Sequence, residues 1–551
     1  MNSLFDNWTS NLKKNSLLMI MAILLPTVVI NTVIMTAERI CATFSAMETS
    51  ISVTALQKYA EDGVIDNELS FYQQYLPAKQ LQELQVLLHT PVKASPVLVS
   101  QFLHTPQGEF LLKRLAQVVQ PESRQPEPAF HALRSAFISA SAEPEGLTIL
   151  NLLRKYPYSS IHIDLKRGFA MARELERVVN QTQRAMDAVK KQSNIEAAKT
   201  PKALNLLQLV NLDSQGEFES QKHTLKFFDS QRHRLLLTDV YIPHVQSPAP
   251  VIVISHGLGT DSSNFEYLAT HLASHGLAVV VPNHPGSSPE KLQTSLHKNS
   301  HKVIEANEFK NQPLDVTYVL NQLEKINQSD LRFQQRFNLQ QVGVFGQSLG
   351  GYTALALAGA KINFQQLKQD CTAQALDKSW NMSLLFQCSA LALNNHSSQE
   401  YNLQDERVKA AIAVNPITSS IFGQAGLSQI KTPIMIVGSS DDTVAPTLYE
   451  QIQPFSWLNN SHKYLVMLWS GTHFSTIGDR NSSSQQVSLP KDLVGDASQA
   501  RYYMKVLGLS FFQTYIAKQS RYLPYLNAAY AQTISRDSLG LSLVQSSAKL
   551  N

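Results

Sequence analysis

The sequence predicts an α/β fold, with a mostly parallel central sheet flanked by helices, preceded by a separate all-α domain. In the C-terminal part, short apolar runs end in glycine-rich or polar loops and alternate with helical segments, a pattern typical of parallel strands joined by crossover helices. Before about residue 200, helical periodicity replaces that pattern. We therefore predict an N-terminal segment over 1–37, a helical domain over 38–200 and an α/β domain over 201–551.

The N-terminal segment contains an apolar run, residues 16–35, which has no charged side chain and follows Lys13 and Lys14. Basic residues before such a run are typical of an export signal, and about twenty apolar residues are enough to span a bilayer. Cleavage after Ala37 and retention as a membrane anchor both stay open. In either case we expect an exported protein, periplasmic or anchored in the cell membrane and facing outward.

Composition is that of a globular protein with a large core: 551 residues, 43% hydrophobic and 16% charged, with a net charge of +4. Basic tracts with interleaved aromatic residues are missing from the sequence, so we expect no nucleic-acid partner. Of three cysteines, Cys371 and Cys388 lie in one stretch, and we predict a disulfide between them, with two free thiols as the alternative. The residues before Cys41 do not resemble a lipoprotein processing site.

The predicted helical domain shows apolar residues at helical spacing, for example Leu81, Leu84 and Leu88. A second such set is Leu111, Leu115, Val118 and Val119. Prolines separate these segments, and a helix over 171–191 leads to a predicted linker over 194–202. We find no catalytic constellation there, and a lid, a partner-binding module and a membrane-proximal spacer remain open as roles.

The α/β domain contains a candidate nucleophile, Ser348, in the segment QVGVFGQSLGGY that spans residues 341–352. A β-branched run precedes a Gly-X-Ser-X-Gly motif, and a helical segment follows it. Strand, sharp turn and helix are the context in which this motif exposes a serine. The flanking Gly346 and Gly350 suit the strained backbone of such a turn. By itself the motif also fits an ordinary tight turn.

Three more features complete the pattern of a hydrolytic site. The strand over 251–254 ends in the turn His256-Gly257-Leu258-Gly259, and we assign the backbone N–H groups of Leu258 and Leu349 as oxyanion donors. A further strand over 433–437 leads to two acids, of which we prefer Asp442 as the triad acid and keep Asp441 as the alternative.

The general base is predicted to be His473, which comes directly after the strand over 464–468, the last strand that we predict. His256 and His284 are expected to pack or to shape loops, with His284 facing substrate as an alternative. The chain order Ser348, Asp442, His473 is that of α/β-hydrolases and differs from the order in other serine hydrolase folds.

Residues of about 220–520 resemble the α/β-hydrolase superfamily, closest to dienelactone hydrolase-like and platelet-activating-factor acetylhydrolase-like esterases, through the segments SHGLG and GQSLGG. Three further segments are Ala37-Glu38-Arg39-Ile40, Glu450-Gln451-Ile452 with Pro454-Phe455, and the tail near Tyr522 to Tyr530. Through them the whole chain also resembles a bacterial family, largely from photosynthetic bacteria, of α/β-hydrolases with an N-terminal helical domain and no assigned substrate. Two features depart from the acetylhydrolases. Those enzymes usually have histidine at the position of Gln347, and their triad acid follows strand six, where this chain has Asn415-Pro416 and no carboxylate. Acetylhydrolase specificity is therefore not implied.

The domain opens with two strands over 223–228 and 235–242, an expected antiparallel edge, and carries a long insertion over 361–407 that we predict to cap the acyl pocket. We expect a serine hydrolase that cleaves carboxylic esters, lipid acyl esters included, through an acyl-enzyme. Small-molecule or lipid esters are the expected partners, and we expect neither a cofactor nor a metal. A peptidase of the same fold and a non-catalytic binding or scaffold protein of the cell envelope are the alternatives.

Overall fold

The computed structural model describes residues 36–44, 47–73, 78–92, 94–200, 211–297, 304–396, 401–479 and 496–546. The apolar run over 16–35 lies outside these residues, and within them no helix combines the length and the apolar character needed to cross a bilayer. The chain divides into two compact units. Unit 1 is Met1–Asn180 with Ser295–Val303, and unit 2 is Gln181–Thr294 with Ile304–Asn551.

Unit 1 combines helices with a small sheet. Its strands are β1 (Arg39–Phe44), β2 (Met47–Ser52), β3 (Val119–Gln120) and β4 (Ser160–Asp164). Its helices are α1 (Val53–Asp62), α2 (Asn67–Gln73), α3 (Ala78–His89), α4 (Pro96–Leu103), α5 (Pro106–Leu115), α6 (Pro126–Ser141), α7 (Ile149–Arg154) and the first part of α8 (Leu165–Lys199).

The sheet of unit 1 has the order β2-β1-β4-β3, with β1 parallel to β4 and the other pairs antiparallel. The prediction of an all-α domain is therefore wrong. These strands bury one face only: in β1, Ile40 and Ala42 are buried while Arg39, Cys41 and Thr43 stay partly accessible. Such short alternating strands lack the continuous apolar runs that identify a strand buried on both faces.

Helix α8 extends the predicted helix over 171–191 in both directions, and the predicted linker over 194–202 is helical as far as Lys199. Glutamate, alanine and lysine, which occupy positions 196–199, are all strong helix formers, so the helix continues where we expected it to end. The division between the two units falls within this helix, earlier than the predicted boundary at residue 200.

Unit 2 is built on a mixed sheet. Its strands are β5 (Ser220–Asp229), β6 (Arg234–Pro243), β7 (Ala249–Ser255), β8 (Ala278–Pro282), β9 (Phe337–Gln347), β10 (Val408–Val414), β11 (Ile434–Ser439), β12 (Lys463–Trp469) and β13 (Gly540–Val544). Its α-helices are the second part of α8, α9 (Glu266–Ser274), most of α10 (Pro289–His297), α11 (Glu308–Ser329), α12 (Leu349–Leu357), α13 (Phe364–Asp370), α14 (Ala373–Lys378), α15 (Leu384–Gln387), α16 (Gly423–Leu427), α17 (Gln453–Trp457), α18 (Ala497–Tyr515) and α19 (Ala528–Ile534).

The strand order in this sheet is β13-β12-β11-β10-β9-β7-β8-β6-β5. Strands β7 to β12 are mutually parallel, and β5 and β6 form the predicted antiparallel edge. The prediction that the strand over 464–468 is the last one is wrong, because β13 adds antiparallel to β12. Since β7 lies between β8 and β9, the strand order reverses there, and ligands of open α/β sheets bind at the carboxyl ends of strands at such a point.

Both faces of the sheet are covered by helices. Along β7, Val251 and Val253 belong to one buried cluster with α11 and α12. Ile252 and Ile254 belong to the cluster on the opposite face, with α9 and α18. Because neither face meets water, the parallel strands are apolar almost throughout, which is why they were recognisable in the sequence.

Candidate functional site

Ser348 lies at the turn between β9 and α12, with φ 57° and ψ −117°. A non-glycine residue in the left-handed region of φ costs about 1–3 kcal/mol and persists only where its surroundings enforce it. Here the backbone N–H of Ser348 donates to the carbonyl of Val414, at the end of the neighbouring strand β10, over 2.8 Å. The serine is therefore held at the carboxyl edge of the sheet.

The two glycines of the motif allow this turn to pack closely. A Cβ on Gly346 would lie 1.9 Å from the carbonyl oxygen of Gly350, and one on Gly350 would lie 1.9 Å from the carbonyl oxygen of Ser255. Both distances are far inside van der Waals contact with backbone atoms, which cannot move aside as a side chain can. Only glycine fits at either position.

His473 and Asp442 line up behind the serine. Nε2 of His473 lies 2.9 Å from Oγ of Ser348, and its Nδ1 lies 2.7 Å from Oδ2 of Asp442. The two residues follow β12 and β11, whose carboxyl ends are adjacent in the sheet. Both are buried, with 3% and 6% of their surface exposed. This arrangement can move the serine proton to the imidazole while a carboxylate stabilises the resulting charge.

The two neighbouring aspartates have different partners. Oδ1 of Asp442 accepts backbone hydrogen bonds from Val444 and Ala445, at 2.8 and 2.7 Å, which leaves Oδ2 directed at His473. Asp441 instead accepts a hydrogen bond from Oγ of Ser440 at 2.7 Å, and its backbone N–H donates to Gly471. The structure brings Asp442 to the histidine and turns Asp441 elsewhere.

The residues proposed as oxyanion donors both belong to backbone segments close to the nucleophile. Leu349 is the first residue of α12, where a backbone N–H has no carbonyl one turn earlier to bind. Leu258 lies in the turn after β7, and a Cβ added to its neighbour Gly257 would lie 3.0 Å from Cβ of Ser348. The backbone of that turn therefore runs directly beside the serine.

Two residues that differ from those of related enzymes, Gln347 and Asn415, position the histidine loop. The side-chain amide of Gln347 donates to the backbone carbonyl of His473 at 3.0 Å, and that of Asn415 donates to the same carbonyl at 3.3 Å. Both side chains are buried. Their partner lies far along the chain, so apart from the position of each residue at a strand end no sequence pattern indicates this role.

The turn after β7 rests on a buried polar network. Nε2 of His284 lies 3.0 Å from Oγ of Ser255, and its Nδ1 lies 3.0 Å from Oδ2 of Asp315. The backbone N–H of His284 donates to Nε2 of His256 at 2.9 Å, and Nδ1 of His256 donates to the carbonyl of Gly257. All four side chains of Ser255, His256, His284 and Asp315 are inaccessible to solvent. This second serine–histidine–aspartate chain is thus structural, and the alternative that His284 faces substrate is wrong.

Charges in this network are compensated by Arg234, which binds Glu308 at 2.8 Å and Asp315 at 2.7 Å. Burial raises the pKa of the Asp315 carboxyl, but the hydrogen bond from His284 and the charges of His284 and Arg234 outweigh it and bring the pKa below its usual value. Burial, reinforced by His284, lowers the pKa of His256 to about 3. His256 is therefore neutral at physiological pH, which its two hydrogen bonds require.

The insertion over 361–407 contains α13, α14 and α15, and the sulfur atoms of Cys371 and Cys388 are bonded within it. The fully buried carboxylate of Glu450 anchors it. This carboxylate accepts hydrogen bonds from side chains of Asn381, Ser383 and Gln387 in the insertion. It also accepts from the backbone of Thr418 and Ser419 in the loop after β10. The insertion is thereby fixed to a loop at the carboxyl edge of the sheet, and the prediction that it caps an acyl pocket remains a prediction.

Comparison with known protein families gives two matches. Residues 250–377, from β7 into α14, match the family described as the α/β hydrolase fold. Residues 36–164, within unit 1, match the family described as "Alpha/beta hydrolase of unknown function (DUF1400)". No curated protein matches the chain. Unit 2 thus has the α/β-hydrolase fold, as the sequence predicted, and both matches indicate a hydrolase.

Proposed function

We propose that this protein is a serine hydrolase that cleaves carboxylic esters through an acyl-enzyme intermediate. The observation that carries the proposal is the hydrogen-bonded chain from Ser348 through His473 to Asp442, at a strained turn between a strand and a helix. Nucleophile, base and orienting acid within hydrogen-bond reach are the signature of an activated serine. The α/β-hydrolase fold of unit 2 supports the same class.

In the first half of the proposed reaction, Oγ of Ser348 attacks the ester carbonyl carbon and Nε2 of His473 takes the hydroxyl proton. The backbone N–H groups of Leu258 and Leu349 stabilise the oxyanion, a contribution worth about 10²–10³ in kcat for one donor. Asp442 holds the imidazole in the tautomer whose Nε2 accepts the proton, and it stabilises the imidazolium. As the tetrahedral intermediate collapses, the bond to the alcohol breaks and His473 returns the proton to the leaving oxygen.

In the second half, water attacks the acyl-enzyme while His473 accepts its proton. The carboxylic acid leaves, the proton returns to Oγ, and Ser348 is regenerated. The protein's own groups supply every proton transfer in this cycle. Lipid acyl esters are included in the proposed substrate class because we expect the apolar run over 16–35 to place the enzyme in the cell envelope, exported and facing outward.

The test is hydrolysis of nitrophenyl esters of increasing acyl length by the wild-type protein and by Ser348→Ala. We expect the variant to lose at least about 10³-fold in kcat/KM. Ser329→Ala, which removes an exposed hydroxyl bonded only within its own helix, serves as the matched control and should retain full activity. Equal rates for wild type and Ser348→Ala would contradict the proposal.

A fluorophosphonate probe separates an inactive site from an unsuitable ester. The probe reacts with an activated serine whatever the physiological substrate is, so it should label the wild type and Ser329→Ala and should not label Ser348→Ala. Labelling without hydrolysis of any nitrophenyl ester would favour a narrower acyl-transfer activity, such as peptide cleavage. A folded wild-type protein that the probe does not label would favour a binding or scaffold role.

A further inference from the structure

One face of the sheet in unit 1 carries a cysteine, a glutamate and a histidine on three adjacent strands. Cys41 on β1 lies opposite His162 on β4, and Glu48 on the neighbouring β2 is paired with Thr43, the next residue of β1 on that same face. One ligand atom from each of Cys41, Glu48 and His162 lies within 4.8 Å of the other two. Strand pairing thus brings His162 together with two side chains, Cys41 and Glu48, that precede it by more than 110 residues.

The imidazole of His162 is the informative member of this group. Its side chain is only 12% exposed, and its Nδ1 is buried without a hydrogen-bond partner among the described residues. The other ring nitrogen, Nε2, lies 3.2 Å from Oγ of Ser160. When Nε2 donates its proton to Ser160, Nδ1 carries a lone pair, and Oε1 of Glu48 lies 3.6 Å from this nitrogen. A buried lone pair without a donor is a cost to the fold unless something binds it.

The distances fit a small cation between these atoms. Nδ1 of His162 lies 3.6 Å from Oε1 of Glu48, too far for a hydrogen bond. In a tetrahedral zinc site, with bonds of about 2.0 Å to nitrogen or oxygen and 2.3 Å to sulfur, neighbouring ligand atoms lie about 3.3–3.6 Å apart. The observed nitrogen–oxygen separation of 3.6 Å lies at the upper end of that range, and the three ligand atoms lie within 4.8 Å of one another.

The surroundings of the group orient the atoms as they do around bound metals. Ser160 fixes the ring of His162, and Arg124 binds Oε2 of Glu48 at 2.9 Å, which leaves Oε1 free to face the histidine. Hydrogen bonds of this kind to the outer atoms of histidine and carboxylate ligands are a regular feature of zinc sites. A simple ion pair between Arg124 and Glu48 would explain the carboxylate but would leave Nδ1 without a role.

We propose that Cys41, Glu48 and His162 bind one Zn²⁺, with water as the fourth ligand. Sulfur, nitrogen and oxygen ligands together favour zinc, whereas Mg²⁺ and Ca²⁺ prefer oxygen ligands alone. The ion links β1, β2 and β4 and so stabilises the sheet of unit 1. The sequence pattern does not indicate this site, because Cys41, Glu48 and His162 lack the close spacings of common zinc motifs.

The test uses the full-length protein, stripped with a chelator and then supplied with Zn²⁺ or Co²⁺. We expect about one zinc per chain after removal of free metal, and an absorption band from thiolate-to-cobalt charge transfer. Cys41→Ser should lose that band. Glu48→Gln and His162→Gln should bind zinc at least about 10-fold more weakly, because even the loss of a group that hydrogen-bonds to a metal ligand usually weakens binding by that factor. Glu127→Gln and His131→Gln, at exposed positions in the same unit, are matched controls and should bind as wild type does.

A second measurement needs no variant. Cys41 is the one cysteine outside the disulfide, so an alkylating reagent modifies it selectively in the non-reduced protein. Zinc should slow this modification by at least about 10-fold, because a metal-bound thiolate is a poor nucleophile toward the reagent. Unchanged alkylation in the presence of zinc, or a cobalt band that persists in Cys41→Ser, would overturn the proposal. Both readouts are independent of ester hydrolysis, so they test the site whether or not the proposed enzymatic function holds.

Discussion

Asp441 and Asp442 are adjacent in sequence but differ in their contacts, and that difference predicts different consequences of mutation. Asp442→Asn retains the shape of the side chain while removing the charge that orients His473, and we expect kcat for a nitrophenyl ester to fall by about 10⁴-fold. Asp441→Asn removes a carboxylate that contacts Ser440 and should change kcat by less than about 10-fold. Steady-state kinetics of the two variants measure this, and losses of similar size would mean that the acid is assigned to the wrong residue.

The side chains of the triad were predictable because each follows an apolar strand, and strand ends meet at one edge of a parallel sheet. Local sequence is enough to find such positions. The roles of Gln347, Asn415 and Asp315 were not predictable in this way. Each depends on a partner in another segment, His473 for the two amides and His284 for the aspartate, and those pairings exist only once the strand order is known.

Among the secondary-structure elements, the loop after β10 and the insertion are joined through the carboxylate of Glu450. In Glu450→Gln, an NH₂ group replaces one acceptor oxygen and faces groups that are themselves donors. Because these donors are buried, we expect the free energy of unfolding to fall by about 1–3 kcal/mol. Urea unfolding followed by tryptophan fluorescence measures it, since Trp380, Trp457 and Trp469 all lie in unit 2.

The control for this variant is Glu406→Gln, because Glu406 is an exposed glutamate at the end of the same insertion and its replacement should change stability by less than about 0.5 kcal/mol. Limited proteolysis of Glu450→Gln should also cleave within residues 361–407 sooner than in wild type. If Glu450→Gln matched wild type in both measurements, the carboxylate would not be what holds the insertion in place.

The secondary-structure elements differ in how well the sequence predicts them, and the difference has a physical reason. The parallel strands of unit 2 are buried on both faces and appear as apolar runs, so β7, β11 and β12 were predicted within a few residues of their bounds. Strand β8, which is equally buried, was not predicted. The strands of unit 1 and the edge strand β13 are short, and pairing with a neighbour rather than composition defines them. Helix α8 was found but ended too early, because the expected linker has strong helix-forming residues.

Across the whole molecule, buried histidines predict how stability changes with pH. Burial is the main cause that lowers the pKa of His256 and of His271 to about 3, with nearby charges contributing. Nε2 of His271 is also buried without a hydrogen-bond partner among the described residues, so protonation there would leave an uncompensated charge. In the unfolded chain both side chains regain a pKa of about 6.5.

Because the folded-state pKa is lower than the unfolded one, these histidines contribute stability that is fully present above about pH 6.5 and is lost as the pH falls toward 3. At pH 5 the loss is about 2 kcal/mol for each histidine.

We expect urea unfolding of the wild type to show a marked decrease in the free energy of unfolding between about pH 7.5 and pH 5. In His271→Gln, which has no titrating group at this position, the decrease should be smaller by about 2 kcal/mol. His131→Gln, at an exposed position, is the control and should retain the wild-type decrease. A pH dependence in His271→Gln equal to that of wild type would contradict the assignment of a neutral, buried imidazole at position 271.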